Sequence, residues 1–329
     1  MSALSPLLQK FFTDRLIRQR HASPHTIASY CDTFRLLLKF VKAKTGKASS
    51  KLTLEDLDAP LIGTFLDHLE NTRGNTVRTR NARLTAIHSF FHFAELEVPE
   101  QAALIQRVLA IPDKRLDTAL ISYLERPEIE ALLRSPDCST WIGRRDHALL
   151  LLAVQSGLRV SELAGLRCCD VQLGSGAHVR CDGKGRKERC TPLTRSTTAV
   201  LRGWLRECGG QGHDPLFPSS SGQHLTRNAI WRLVIKHAEH AKEHCPSIQA
   251  KHVTPHVLRH TAAMTLLHAG VDTSVIALWL GHESLTSTTV YLHADMAIKE
   301  QALERTTPAT TKQGRYRPPK ELEAFLDQL

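Results

Sequence analysis

A polar, proline-containing stretch, Ile111-Pro112-Asp113-Lys114-Arg115-Leu116-Asp117, constrains this 329-residue chain more than any other feature. It reads as an interdomain linker with helical patterns on both sides, so the chain should fold as two units. Each side is long enough to bury its own core. The expected division is 1–110, a linker over 111–118, a larger unit over 119–305, and a tail over 306–329. A hydrophobic content of 42% argues against bulk disorder. The longest apolar run, Ala148 to Val154, is far too short to span a membrane, and Met1 to Gln9 lacks the pattern of a signal peptide. The eight cysteines form no C-x-x-C pair and read as free thiols in a reducing cytoplasm. The net charge of +10 divides evenly, +5 in residues 1–112 and +5 beyond, as expected where both units meet a polyanion.

The first third reads as helical. Ser23-Pro24 supplies an N-cap and a first-turn proline, and Gly46 a stop. Between them Ile27, Tyr30, Phe34, Leu37, Leu38 and Val41 recur at spacings suited to one apolar stripe. A second helix carries Leu61, Ile62, Phe65, Leu66 and Leu69. A third, over about 76–95, turns Leu84, Ile87, Phe90, Phe91 and Ala94 inward. Its opposite face shows Arg78, Asn81, Thr85, His88, Ser89 and His92. From Asn71 to Ala94 there are four arginines and no acid. A solvated surface would also be polar, but the missing carboxylates favour a face turned to phosphate, with Arg78, Asn81 and Thr85 able to reach DNA.

The second half mixes helices with three short alternating segments, 170–173, 177–181 and 188–193, expected as a small antiparallel sheet. The last two flank Gly183-Lys184-Gly185, a hairpin signal. Six residues here suit attack on a phosphodiester. Arg159 lies in Ser156-Gly157-Leu158-Arg159-Val160-Ser161-Glu162-Leu163, before a short helix, and Lys184 at the hairpin tip. His256 and Arg259, three apart at a helix start, share a face. His282 follows a helix-ending glycine, and Tyr291 comes nine residues later. Each has an ordinary structural alternative, such as an ion pair, an exposed turn or a core aromatic. Their joint occurrence in this order does not.

These motifs resemble the tyrosine recombinases, the phage-integrase family: Gly157-Leu158-Arg159-Val160-Ser161-Glu162-Leu163, Gly183-Lys184-Gly185, His256-Val257-Leu258-Arg259-His260-Thr261, Leu280-Gly281-His282 and Tyr291. The resemblance covers nearly the whole chain, with a Xer-like, mobile-element character. It implies a mainly α fold with a small antiparallel sheet: a helical, SAM-like core-binding domain and a catalytic domain closing as a C-shaped clamp on DNA. It carries the catalytic set onto Arg159, Lys184, His256, Arg259, His282 and the nucleophile Tyr291, with Glu162 as an accessory acid. Tyr291 would attack phosphorus and form a covalent 3′-phosphotyrosine. Its hydroxyl, of ordinary pKa about 10, needs a partner for its proton, and His256 is the candidate. The two arginines would grip the nonbridging oxygens, Lys184 would protonate the leaving 5′-oxygen, and His282 would add a hydrogen bond. No cofactor is implied, neither Mg²⁺ nor ATP. A zinc stripe at His252, His256 and His260 is disfavoured because Arg259 would repel the cation. Glu162 has a simpler alternative as a first-turn helix carboxylate.

The expected partner is double-stranded DNA with paired inverted core sites. The chain would be a monomer or dimer before synapsis and a homotetramer after it, with related recombinases as further partners and no membrane. A relaxing topoisomerase, or a non-catalytic DNA-binding factor, remains the competing function. The tail adds a polar linker over 306–314 and then Leu322, Phe325, Leu326 and Leu329, an apolar stripe at i, i+3, i+4 and i+7. So short a helix must dock, in cis or on a neighbouring subunit. The resemblance implies cyclic exchange of this segment in the tetramer.

Overall fold

The computed structural model describes residues 3–116, 121–182 and 188–281, together with Thr288 and Tyr291. The chain divides into Met1–Ala119 and Leu120–Leu329. The first unit is helical. Helix α1 (Leu4–Lys10) runs on into a π-helical stretch, Phe11–Gln19, followed by α2 (Pro24–Thr45), α3 (Ala59–Asn71), α4 (Val77–Glu97) and α5 (Ala102–Leu109). The π winding explains a spacing that ordinary helical periodicity does not. Buried Leu4, Leu7, Phe11 and Leu16 stand three, four and then five apart. Bonds of the i→i+5 type, such as Arg20 N–H to Arg15 O at 3.0 Å, bring that last pair to one face.

Start and stop signals act where the sequence places them. The Ser23 hydroxyl accepts from Thr26 N–H at 3.2 Å, and Gly46 ends α2 in the left-handed region. Asp58 and Thr76 cap α3 and α4 in the same way. Phe11 sits at the core centre, its ring 5.5 Å from Phe90, 5.7 Å from Phe93 and 6.2 Å from Phe34.

In the second unit, α6 (Arg126–Arg134), α7 (Trp141–Ser156) and α8 (Val160–Gly165) precede the sheet, β1 (Val171–Gln172), β2 (His178–Asp182) and β3 (Glu188–Pro192). The strands pair antiparallel in the order β1-β2-β3, with Val179 opposite Val171 and Thr191. Helices α9 (Arg195–Cys208), α10 (Arg227–Lys242), α11 (Pro255–His268) and α12 (Thr273–Leu280) follow. Helix α11 packs on α7, and α12 packs on both α11 and β3. No helix among the described residues is long and apolar enough to cross a membrane. The tail residues Leu322, Phe325, Leu326 and Leu329 lie outside the described residues.

Candidate active site

Two glycines build the site's frame. Gly157 ends α7 with φ +64°, and a β-carbon there would lie 2.6 Å from Leu280 Cδ2 and 3.0 Å from Ala262 Cβ. Only glycine lets the α7 terminus approach α11 and α12 so closely. Gly281 ends α12 with φ +65°, and a β-carbon there would lie 2.7 Å from Arg189 Nη1. The carbonyls at these turns then become acceptors for the two arginines. Arg259 on α11 donates through Nη1 to Gly157 O (2.6 Å) and through Nη2 to Leu280 O (2.7 Å). Arg159 donates through Nη2 to Gly281 O (2.9 Å). Adjacent carbonyls at one helix end thus hold both guanidiniums, and Tyr291 is close enough to feel both charges. Each arginine has five N–H donors, so groups remain beyond these bonds to meet an anion.

Arg159 also serves as the N-cap of α8. Its backbone N–H donates to Glu162 Oε2 (2.7 Å) and its Nη1 to Oε1 (2.9 Å). The same carboxylate receives Nη1 and Nη2 of Arg189, on β3, at 2.9 and 2.7 Å. Glu162 is therefore more than a first-turn carboxylate; it ties α8 to the sheet. Burial alone would raise its pKa, but hydrogen bonds from Arg189 and Arg159 prevail and hold it below the usual carboxylate range. Burial and the neighbouring Arg159 charge depress Arg259 to about 10, which still leaves it cationic at neutral pH.

Tyr291 is 3% exposed and packs against Ala263, Met264, Leu267, Ile276 and Leu280. Burial raises its pKa, while Arg259 and Arg159 pull the other way. Its hydroxyl lies 3.1 Å from Nδ1 of His260. The expected proton acceptor, His256, is exposed one turn earlier on α11, its ring centroid 4.2 Å from that of His260. The structure therefore puts His260 in contact with both the His256 ring and the phenol. The described residues bring together Arg159, Glu162, His256, Arg259 and Tyr291; Lys184 and His282 lie outside them. Sequence reasoning passed over Arg189 and gave His260 no part in the chemistry. The signal for His260 was its place in His256-Val257-Leu258-Arg259-His260, four residues after His256; Arg189 gave none beyond its strand.

On the first unit, the polar face of α4 is narrower than expected. Asn81 donates Nδ2–H to Lys114 O (2.8 Å), while its Oδ1 accepts from Lys114 N–H (3.2 Å) and Arg80 Nη1 (3.1 Å). That carboxamide fastens the outgoing chain, which removes Asn81 from the outward stripe. His88 is likewise turned to Val108 O, and burial lowers its pKa. The residues left facing outward are Arg78, Ala82, Thr85, Ser89 and His92. Tyr30, Arg15 and Arg20 join Thr85, Ser89 and His92 around a cleft of about 540 Å³.

Paired guanidiniums, a buried phenol within range of both charges and a histidine on its hydroxyl make a site for phosphoryl transfer through tyrosine. The chain belongs to the phage integrase family, the tyrosine recombinases, enzymes that cleave and rejoin DNA strands. Residues 122–297 match that family and residues 10–97 its N-terminal SAM-like domain. The chain is 56% identical over 328 residues to y4rC of Sinorhizobium fredii, named as an integrase/recombinase, covering 100% of this chain and 99% of that one. It is 34% identical over 300 residues to tyrosine recombinase XerC of Pelobacter propionicus, covering 89% and 93%. In fold it is similar to XerH recombinase bound to a palindromic difH substrate (TM-score 0.70, 22% identity, 87% and 81% covered). It is also similar to the Tn1549 transposon integrase in complex with a circular intermediate DNA (TM-score 0.68, 15% identity, 91% and 99% covered).

Proposed function

We propose that this chain is a site-specific DNA recombinase of a bacterial mobile element or plasmid, acting on paired inverted core sites as a tetramer. The observation that carries the mechanism is Tyr291 bonded to His260 within range of the Arg159 and Arg259 charges. Tyr291 attacks the scissile phosphorus, forming a Tyr–O–P bond as the P–O5′ bond breaks. The two guanidiniums, preset by the carbonyls of Gly157, Leu280 and Gly281, stabilise the charge that builds on the nonbridging oxygens. Glu162 and Arg189 hold Arg159 in position. Lys184 is the proposed donor to the 5′-oxygen, and His282 a further hydrogen-bond donor to the phosphoryl group. The phosphotyrosine conserves the energy of the broken bond, so religation needs no external source.

For recognition, the outward stripe of α4 enters a major groove, Arg78 and Thr85 nearest the DNA. The segment Leu322–Leu329 docks on a neighbouring subunit and closes the ring. XerH and the transposon integrase bound to their DNA support the DNA partner. The test uses a nicked suicide duplex carrying the core site that the full chain selects from a randomised pool. A covalent protein–DNA band lost in Tyr291→Phe supports the reading. Selective binding with no adduct by the unaltered chain overturns it in favour of a binding factor, and relaxation of supercoiled DNA without partner exchange favours a topoisomerase.

A further inference from the structure

We propose that His260 is a catalytic residue of this site, the group that orients the Tyr291 hydroxyl and takes its proton during attack. The inference rests on Tyr291 as the nucleophile. Nδ1 of His260 lies 3.1 Å from the phenolic oxygen, the reacting atom itself. The two rings meet edge to face, with centroids 5.5 Å apart and planes at 67°. That arrangement aims the ring nitrogen at the hydroxyl rather than stacking the faces. With the proton on Nε2, Nδ1 is the acceptor, and the hydroxyl donates to it.

The helix explains why this histidine holds the place that His256 was expected to fill. On α11 both lie on one face, a turn apart. His256 is exposed and His260 partly buried, and it is the inner ring that bonds the phenol. Their centroids are 4.2 Å apart, which keeps His256 against the flank of His260. Among the described residues, the charges that act on the phenol are those of Arg259, on the same helix, and Arg159, at the start of α8. Both are cations and cannot receive a proton; among the described residues His260 is the base shown bonded to the hydroxyl.

The step balances. The phenolic O–H proton passes to Nδ1, the oxygen's electron pair forms the bond to phosphorus, and the P–O5′ pair leaves with the 5′-oxygen. That oxygen takes a proton from a different donor. The imidazolium forms beside the developing phosphorane charge, and in religation it returns its proton to the departing tyrosine.

The test compares His260→Ala and His260→Asn in the full chain on the nicked suicide duplex. Asparagine places an oxygen near the position of Nδ1, so it can accept the hydrogen bond but not the proton. We expect single-turnover cleavage to fall about 10²-fold or more in His260→Ala, the ordinary size of a lost general base. His260→Asn should also be slow, and the rise in rate with pH on the acidic side should move toward the phenol's own ionisation. Replacing Tyr291 by a fluorinated tyrosine, whose phenol is far more acidic, should restore most of the rate in both variants. A 5′-phosphorothiolate at the scissile position, which needs no leaving-group proton, should not.

Wild-type cleavage by His260→Asn overturns proton acceptance, and wild-type cleavage by both variants overturns the whole assignment. A uniform loss at every pH, unrescued by the fluorinated phenol, makes His260 a packing residue and overturns it too. Should both variants misfold, the fluorinated tyrosine in the His260 chain decides. An unchanged pH profile there refutes the assignment, and a flattened acidic limb supports it. Failure of the nucleophile assignment reads differently, as an adduct that survives Tyr291→Phe.

Discussion

Glu162→Gln tests the electrostatic frame of the site. The carboxylate is 5% exposed and accepts four hydrogen bonds, from the Arg159 backbone and side chain and from both terminal nitrogens of Arg189. Arg189 is itself 10% exposed and loses its counter-charge in the variant. Breaking a buried pair by removing one partner costs about 3–5 kcal/mol. Arg159, one-third exposed, can turn part of its charge to water, and the glutamine oxygen still accepts one bond. The expected loss is therefore near the lower end, about 3 kcal/mol. For a unit of this size that lowers Tm by roughly 6–12 °C. Urea unfolding followed by circular dichroism measures it. Glu162→Leu combined with Arg189→Leu should recover most of the stability, since apolar replacement of both partners is often neutral. Cleavage should stay low in that double variant, because Arg159 has lost its tether. The pair's contribution also has a pH signature. The folded Glu162 pKa lies below its unfolded value, so the stabilisation is complete above the usual carboxylate range and disappears as pH falls through the folded pKa. A loss under about 1 kcal/mol, or a double variant no more stable than the single, would refute this reasoning.

Three further outcomes follow from particular contacts. Gly157→Ala forces a side chain into the left-handed region and against Leu280, so it should cost about 2–4 kcal/mol and slow cleavage by displacing the carbonyl that holds Arg259; thermal melts and single-turnover rates check both. Arg78→Ala should weaken DNA binding and reduce the salt slope by about 1, whereas Asn81→Ala should act mainly by freeing the backbone of Lys114, seen as faster amide exchange there. Deleting Leu322–Leu329 should spare single-site binding but impair cooperative binding and synapsis in gel-shift assays; full synapsis by the truncated chain would falsify docking on a neighbour.

Where local chemistry decides, the sequence was legible. Ser23, Pro24 and Gly46 bound α2 because capping and left-handed φ are local demands, and alternation with a Gly-Lys-Gly turn announced the sheet. The motifs around Arg159, Arg259 and Tyr291 named the chemistry. What stayed hidden depends on packing. The five-residue step from Phe11 to Leu16 fits no ordinary helical period, so the π-helical stretch left no pattern to read. Arg189 looks like any strand arginine until Glu162 comes beneath it. His256 and His260 share a helix face, and only the position of Tyr291 reveals that His260 bonds the phenol. Asn81 fits a DNA-facing helix by composition, but its carboxamide is drawn to the chain leaving the unit, a long-range contact with no local trace.

The most direct test of the central claim is to identify the atom that carries the DNA. The full chain is trapped on the nicked suicide duplex, digested with nuclease and protease, and the modified peptide is sequenced by mass spectrometry. The expected result is one nucleotide-bearing residue, Tyr291, joined through its phenolic oxygen to a 3′-phosphate, with no adduct in Tyr291→Phe. A phosphate on another residue, or an adduct that persists in Tyr291→Phe, contradicts it.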